Sequence, residues 1–323
     1  MIHTKRVFKT NMILFCEFAF FLNILNGSSI FKSQKLKFNN EGKFKIVQFT
    51  DLHQNDSINL KTVHFMEKVI DSEKPDFVML TGDNIDGRYC MNITYKKAIE
   101  SIVKPMEERK IPWAVVLGNH DTESIDVKRK DMVKEYTKYQ YNMNKLTEEN
   151  EFNLLVMNSK DSLPIFNMYM LDSGDYSDDG GYGCIELSQV NWYKETSSGL
   201  RKKYKHIIPA IMFFHIPLIQ YNEAFEKNNL SGERREKICY QGKDTGLLKE
   251  IQKQGDVKAI FVGHDHTNDF IGKVGDVFLG YGRCTGYDAY DDSNYERGAR
   301  IILLNEKDTS KFKTWETLDK NLK

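Results

Sequence analysis

The stretch AIFVGHDHTND, residues 259–269, carries four residues of a buried-strand type into a glycine and then sets His264 and His266 one residue apart. A short apolar run that stops at glycine reads as a strand ending in a sharp turn. An imidazole pair at such a point is either a chance of the surface or one part of a site. The ends of the other strands decide between these.

Short β-rich runs alternate with helical patterns along most of the chain. FKIVQF (44–49) precedes a helical pattern near 60–73, and DFVML (76–80) precedes one near 95–109 that Pro105 interrupts. WAVVL (113–117) precedes a long charged amphipathic stretch near 127–147. FNMYML (166–171) leads through a Gly/Asp-rich loop to a helix that Ser188 caps, running past Trp192 to about Lys203. HIIPAIMFF (206–214), VKAIFV (257–262), DVFLGY (276–281) and RIILL (300–304) complete the strands. This alternation predicts an α/β layered domain with helices covering sheet. With no linker or repeat visible, one domain spans about 43–318.

Five of these runs end alike. Asp51-Leu-His53 follows the first, Gly82-Asp83 the second, Gly118-Asn119-His120-Asp121 the third, His215 the run HIIPAIMFF, and Gly263-His264-Asp265-His266 the run that ends in AIFV. Ligands in open α/β sheets bind outside the carboxyl ends of strands, so these residues converge on one rim. Carboxylates, a carboxamide and imidazoles without thiolate suit first-row metals such as Mn, Fe or Zn. They are too many for one tetrahedral zinc and enough for two metals sharing a bridge. Such a pair, roughly 3.5–4 Å apart, clamps a phosphoryl group and turns a bridging water into hydroxide near neutral pH.

D-x-H, G-D, G-N-H-D, H and G-H-x-H in this order resemble the calcineurin-like metallophosphoesterase superfamily, and the resemblance covers nearly the whole chain after the leader. SQVNWYKETS, FFHIPL, GHDHTNDF and RGARIILL resemble a narrower branch, which takes in plant proteins named as purple acid phosphatases and a yeast cell-cycle phosphatase. The resemblance implies a four-layer α/β/β/α sandwich and hydrolysis of a phosphoester by metal-bound hydroxide without a phosphoenzyme. It implies a first metal on Asp51, His53, bridging Asp83 and His266, and a second on Asp83, Asn119, His215 and His264. His120 stands as proton donor or phosphoryl-oxygen ligand, with Asp121 orienting its ring. The purple enzymes carry a tyrosine three residues after the G-D aspartate; here that residue is Asp86, and a colourless protein is expected. Phosphomonoesters lead as substrates, with a phosphodiesterase or nuclease, or a weakly catalytic binding scaffold, as alternatives.

Composition sets outer limits. The 323 residues carry 46 Lys+Arg against 46 Asp+Glu, so no global field draws the chain to nucleic acid. Lys5, Arg6 and Lys9 precede an apolar run from Met12 to Leu25 and the small residues NGSS, the pattern of a signal peptide over 1–28, or an uncleaved anchor. The expected compartment is the secretory pathway: secreted, vacuolar or cell-surface. Cys90, Cys184, Cys239 and Cys284 remain after the leader and permit two disulfides in an oxidising compartment. Asn55, Asn92 and Asn229 head glycosylation sequons.

Among residues outside the motifs, Arg283 is a candidate phosphate ligand, because a guanidinium forks onto phosphate oxygens. Tyr281, Tyr287 and Tyr290 stand near it and are candidates to shape a pocket. His64, mid-helix, and His206, at the wrong end of a strand, read as structural.

Overall fold

The computed structural model describes residues 35–91, 94–291 and 294–322. The predicted leader, Cys16 and the Asn92 sequon lie outside them. The elements run β1 (Leu36–Lys37), β2 (Lys43–Phe49), α1 (Leu60–Glu73), β3 (Phe77–Thr81), α2 (Tyr95–Glu108), β4 (Trp113–Val116), α3 (Arg129–Tyr136), β5 (Phe152–Met157) and β6 (Pro164–Met170). They continue through α4 (Leu187–Tyr204), β7 (Ala210–Phe213), α5 (Tyr221–Asn228), β8 (Asn229–Ser231), α6 (Leu247–Gln254), β9 (Val257–Val262), β10 (Ile271–Val274), β11 (Val277–Tyr281), β12 (Gly298–Asn305) and β13 (Phe312–Leu318).

The strands form two sheets. One has eight strands in the order β1-β5-β6-β7-β9-β11-β10-β8, the other five in the order β13-β12-β2-β3-β4. In the larger, β6, β7, β9 and β11 are parallel; in the smaller, β2, β3 and β4 are. Parallel strands buried on both faces read as continuous apolar runs, the pattern that FKIVQF and AIFV carry. Their period of two then sorts side chains between two cores. From β2 and β3, Phe44, Ile46, Phe77 and Met79 meet Ile211, Phe213, Ala259 and Phe261 of the other sheet. From the opposite face, Val47, Phe49, Val78 and Leu80 pack with Phe65, Met66, Ile99 and Ile102 of α1 and α2. The outer face of the larger sheet buries Met212 and Ile260 with Val190, Tyr193, Leu248 and Ile251 of α4 and α6. The layers are α/β/β/α, as expected. Each fully buried large apolar side chain contributes on the order of 1.5–3 kcal/mol.

Several local expectations need correcting. Pro105 does not interrupt α2, which continues to Glu108 with the proline ring buried. The stretch 127–147 is helical only over Arg129–Tyr136. Beyond it the chain runs beside β4, where the Asn144 amide accepts from Val115 N at 2.9 Å and donates to Val115 O at 2.8 Å, standing in for a neighbouring strand. The N-terminus of α4 is capped by Glu186 in a reciprocal box with Gln189, while Ser188 lies inside the helix. The strand read at 206–214 begins only at Ala210, because Pro209 has no N–H to pair. The four cysteines Cys90, Cys184, Cys239 and Cys284 are free thiols, so the two expected disulfides are absent from the described residues. Among the described residues no helix is long and apolar enough to cross a membrane.

Candidate metal centre

The carboxyl ends of β2, β3, β4, β7 and β9 meet along one rim, and each ends in a turn that aims a side chain inward. The turns are tight enough to force unusual backbone. Asp51, His53, Asp83 and His264 have φ of 54°, 48°, 48° and 80°, a region non-glycine residues rarely occupy. Strained conformations of this kind persist where surrounding structure over-determines them, and they gather at functional sites. The glycine before Asn119 has its own reason: a Cβ on Gly118 would lie 2.1 Å from Asp83 Oδ1, so only glycine lets the carboxylate through.

Two groups of side chains result. Asp51, His53, Asp83 and His266 bring ligand atoms within 4.8 Å of one another, and so do Asp83, His215 and His264. Asp83 belongs to both. Asn119, just past the end of β4, donates from Nδ2 to the Tyr176 hydroxyl at 3.0 Å and keeps its Oδ1 buried without a partner. Six of the seven ligands expected from the sequence are thus gathered in these two groups, and all seven are nearly or fully buried.

The donor atoms fit cations. His215 Nδ1 lies 2.9 Å from the Thr81 carbonyl, which assigns its proton to Nδ1 and leaves the Nε2 lone pair 3.1 Å from Asp83 Oδ2. His266 Nδ1 lies 3.2 Å from the Tyr290 carbonyl and His53 Nδ1 3.4 Å from Asp86 Oδ2, and the two Nε2 atoms face each other at 3.1 Å. His264 Nε2 is buried with no partner. Lone pairs converging in a dry space repel unless a positive charge lies between them. Holding each ring by its far nitrogen is the outer-shell pattern of metal-binding histidines.

Protons are the alternative positive charge. Burial works to raise the Asp83 carboxyl, but the charge and hydrogen bond of His215 outweigh it and hold Asp83 well below the usual carboxylate range. Burial likewise opposes charge on His215, yet Asp83 lifts it to about 9. Burial and the neighbouring His215 drive His264 down to about 3. One site therefore holds imidazoles pushed in opposite directions, a marker of function.

His120 stands at the mouth. Its backbone N–H donates to Asp83 Oδ1 at 2.8 Å, and its Nε2 lies 4.0 Å from Asp83 Oδ2. The expectation that Asp121 orients this ring is corrected. Neighbouring residues in the turn point apart, and the buried Asp121 carboxylate accepts from the backbone N–H groups of Gly118 (2.7 Å), Asn84 (3.0 Å) and Ile85 (3.0 Å), tying the β3 and β4 turns together. The partner of His120 Nδ1 is Glu123.

Arg283 is also corrected. It pairs with Asp269 and, at 3.3 Å, with Glu316, donates to the Glu296 carbonyl at 2.8 Å and lies over the Tyr295 ring at 3.5 Å. It is 7 % exposed, and its Nε and Nη1 are committed to these partners, which makes it a member of a buried ion network. His64 and His206 are exposed and away from the rim groups. Three aromatic residues stand against the ligands: Tyr176 on Asn119, Tyr182 edge-on to His264 at 4.4 Å, and Tyr290 stacked on His266 at 3.8 Å. Of these, the sequence marks only Tyr290 as a pocket residue, and no spacing in the chain signals the other two.

Comparison with known proteins agrees with this geometry. The family model described as calcineurin-like phosphoesterase matches residues 44–268. A protein of Arabidopsis thaliana named "Probable inactive purple acid phosphatase 29" is 34 % identical, the match covering 88 % of this chain and 85 % of that one. "Phosphatase DCR2" of Saccharomyces cerevisiae is 31 % identical over 74 % of this chain and 46 % of its own length. The crystal structure of a dimetal phosphatase from Danio rerio superposes with a TM-score of 0.55 at 12 % identity, covering 85 % of this chain and 98 % of that one. At that identity the likeness is one of fold.

Proposed function

The chain belongs to the calcineurin-like phosphoesterase family, and we propose that it is a working hydrolase of phosphate monoesters. The observation that carries this is the convergence of carboxylate oxygens and inward-facing imidazole nitrogens on Asp83, with His264 Nε2 and Asn119 Oδ1 buried without a partner. The word "inactive" in the plant relatives' names belongs to those proteins; here every ligand type is present. Asp51, His53, Asp83 and His266 would hold one ion, and Asp83, Asn119, His215 and His264 the other. Mn, Fe and Zn suit these oxygen and nitrogen donors. Bound ions there supply Lewis-acid stabilisation of the phosphoryl oxygens and a nucleophile at neutral pH.

The chain's own groups do the rest. Asp83, common to both groups, would be the carboxylate that both ions share. Asn119 adds an oxygen without adding charge, which leaves the site positive enough for a phosphate dianion. His120, 18 % exposed in its side chain while the ligands behind it are dry, is the group placed to meet the leaving-group oxygen and give it a proton from Nε2. Asp86 occupies the position of the purple enzymes' tyrosine, and its carboxylate forks onto Arg88 at 2.9 and 2.7 Å. No tyrosinate is available there, so the loaded protein should be colourless. A formal charge of zero favours a small substrate over a nucleic-acid strand.

The test is elemental analysis of purified full-length protein, followed by reconstitution with Mn, Fe and Zn and a panel of mono- and diesters. About two ions per chain and turnover of monoesters are expected. Protein that binds no metal and hydrolyses nothing after reconstitution would overturn the reading. Hydrolysis of diesters alone would move the substrate class.

For compartment we propose the secretory pathway, on the basic and apolar leader and on the Asn229 sequon, which lies in an exposed strand. Mass spectrometry from the native host should find a mature amino terminus near residues 28–30. A chain beginning at Met1 with no glycan at any sequon would refute it.

A further inference from the structure

We infer that Glu123 is the positioning residue of His120, and that the segment Asp86–Arg88 clamps it there. This rests on the phosphoesterase reading for its consequence, but not for its geometry. The Glu123 N–H donates to the His120 carbonyl at 3.2 Å, closing a turn that brings side chains three residues apart onto one side. Glu123 Oε2 then pairs with His120 Nδ1, so the proton on that nitrogen is spoken for and Nε2 is turned to the Asp83 side. The same Oε2 accepts from the Tyr176 hydroxyl at 3.3 Å and lies 3.9 Å from Arg88 Nε.

The clamp is built into the backbone. Gly87 N donates to the His120 carbonyl at 2.9 Å. A Cβ on Gly87 would fall 2.2 Å from the Glu123 carbonyl oxygen, so the 86–88 segment touches the 120–123 turn at a distance only glycine allows. Arg88, forked onto Asp86, thereby stands between two carboxylates. Asp86 Oδ2 supports the ring of His53, and Glu123 supports the ring of His120, whose centroid is 5.3 Å from that of His53. One arginine thus ties the support of a metal-site histidine to the support of the proton donor. Asp121, next to His120 in sequence, takes no part in this because its carboxylate is held by the backbone N–H groups of Gly118, Asn84 and Ile85 and by the Asn84 amide.

Glu123→Ala and Glu123→Gln test it with two readouts. In metal-free protein, NMR of the imidazole protons should show a far-downfield Nδ1–H of His120 that Glu123→Ala abolishes and Glu123→Gln, still an acceptor, partly restores. In reconstituted protein, both variants should keep wild-type metal content and KM. Glu123→Ala should lower kcat about ten- to a hundredfold on alkyl phosphates, part of the roughly 10²–10⁴ that a general acid supplies. On 4-nitrophenyl phosphate, whose leaving group needs little protonation, the loss should stay within about threefold. A downfield signal that survives Glu123→Ala, lost metal, or an equal fall in kcat on both esters would each overturn the assignment. Wild-type protein inert on every ester would sink the phosphoesterase reading, while the NMR signal would still decide the pairing.

Discussion

At the ligand rim, Asp51, Asp83 and four histidines are buried together; about the β11–β12 connection, Arg283, Arg300 and Asp269 are buried together as well, with Glu316 half-buried beside them. The second cluster closes on itself. Arg283 takes Asp269, Glu316, the Glu296 carbonyl and the Tyr295 face, while Arg300 takes Glu316 and the carbonyls of Tyr281 (2.8 Å) and Asp269 (2.6 Å). At the rim the far side of each supported imidazole is satisfied by the protein, and the near side faces other acceptors. The difference separates a structural ion network from a binding site. A buried cluster whose charges cancel internally asks for nothing, and one whose lone pairs converge asks for a cation.

The largest expected effect follows at the shared ligand. Asp83→Asn removes the bridge's whole negative charge from both groups, so both ions should be lost to elemental analysis and activity should fall further than for any other single ligand. An Asp83→Asn protein that still holds two ions would break the contrast, because the rim would then be closing on itself. Next comes His120→Ala, which should keep both metals and lower kcat by roughly 10²–10⁴. Metal loss in that variant would make His120 a ligand instead of a proton donor.

Arg283→Met probes the other region. Removing one member of a buried, hydrogen-bonded ion network leaves the remaining charges unpaired and costs about 3–5 kcal/mol. The urea midpoint should fall accordingly, with KM and metal content unchanged in the protein that remains folded. A raised KM at unchanged stability would return Arg283 to the substrate site.

What the sequence made legible follows the same contrast. The rim could be read because each ligand sits at the end of an apolar run, a local pattern: FKIVQF before Asp51, DFVML before Asp83, AIFV before His264. α1 was legible for a similar reason, since Asn59 caps Lys61 and Thr62 and the apolar spacing holds to Glu73. Edge strands were not. β13 (FKTWETL) is mostly half-exposed and carries charge between its apolar residues, and β5 alternates buried with half-buried positions. Such patterns are decided by pairing partners far away in the chain. The engagement of Arg283 was equally invisible, because Asp269, Tyr295 and Glu316 come from three separate segments. Glu123 was closer to hand. A turn after His120 places the third residue on, not the next one, beside its ring, and adjacency in sequence pointed to Asp121 instead.

The smallest effect is a slope, and its sign separates the two ways of satisfying the rim. In metal-free protein, His215 is raised to about 9 and His53 is raised as well, in both cases by carboxylates that outweigh burial. The stability they contribute is fully present below the unfolded value near 6.5 and is lost as pH rises through the folded values. His264 and His266 are lowered, first of all by burial, so they work the other way, but only below about 6.5, where the unfolded chain protonates them. Between about pH 6.5 and 9 the two raised histidines act in this direction, joined up to about pH 7 by Asp265, whose carboxyl burial pushes to about 7, and metal-free protein should become steadily less stable to urea. Loaded protein should do the reverse over the same window, since ions compete with those protons and bind more tightly as they leave. Chelator-treated and reconstituted samples, unfolded side by side at several pH values, should therefore diverge as pH rises. Parallel curves would mean that the converging imidazoles are held by protons alone, as a self-contained network would be.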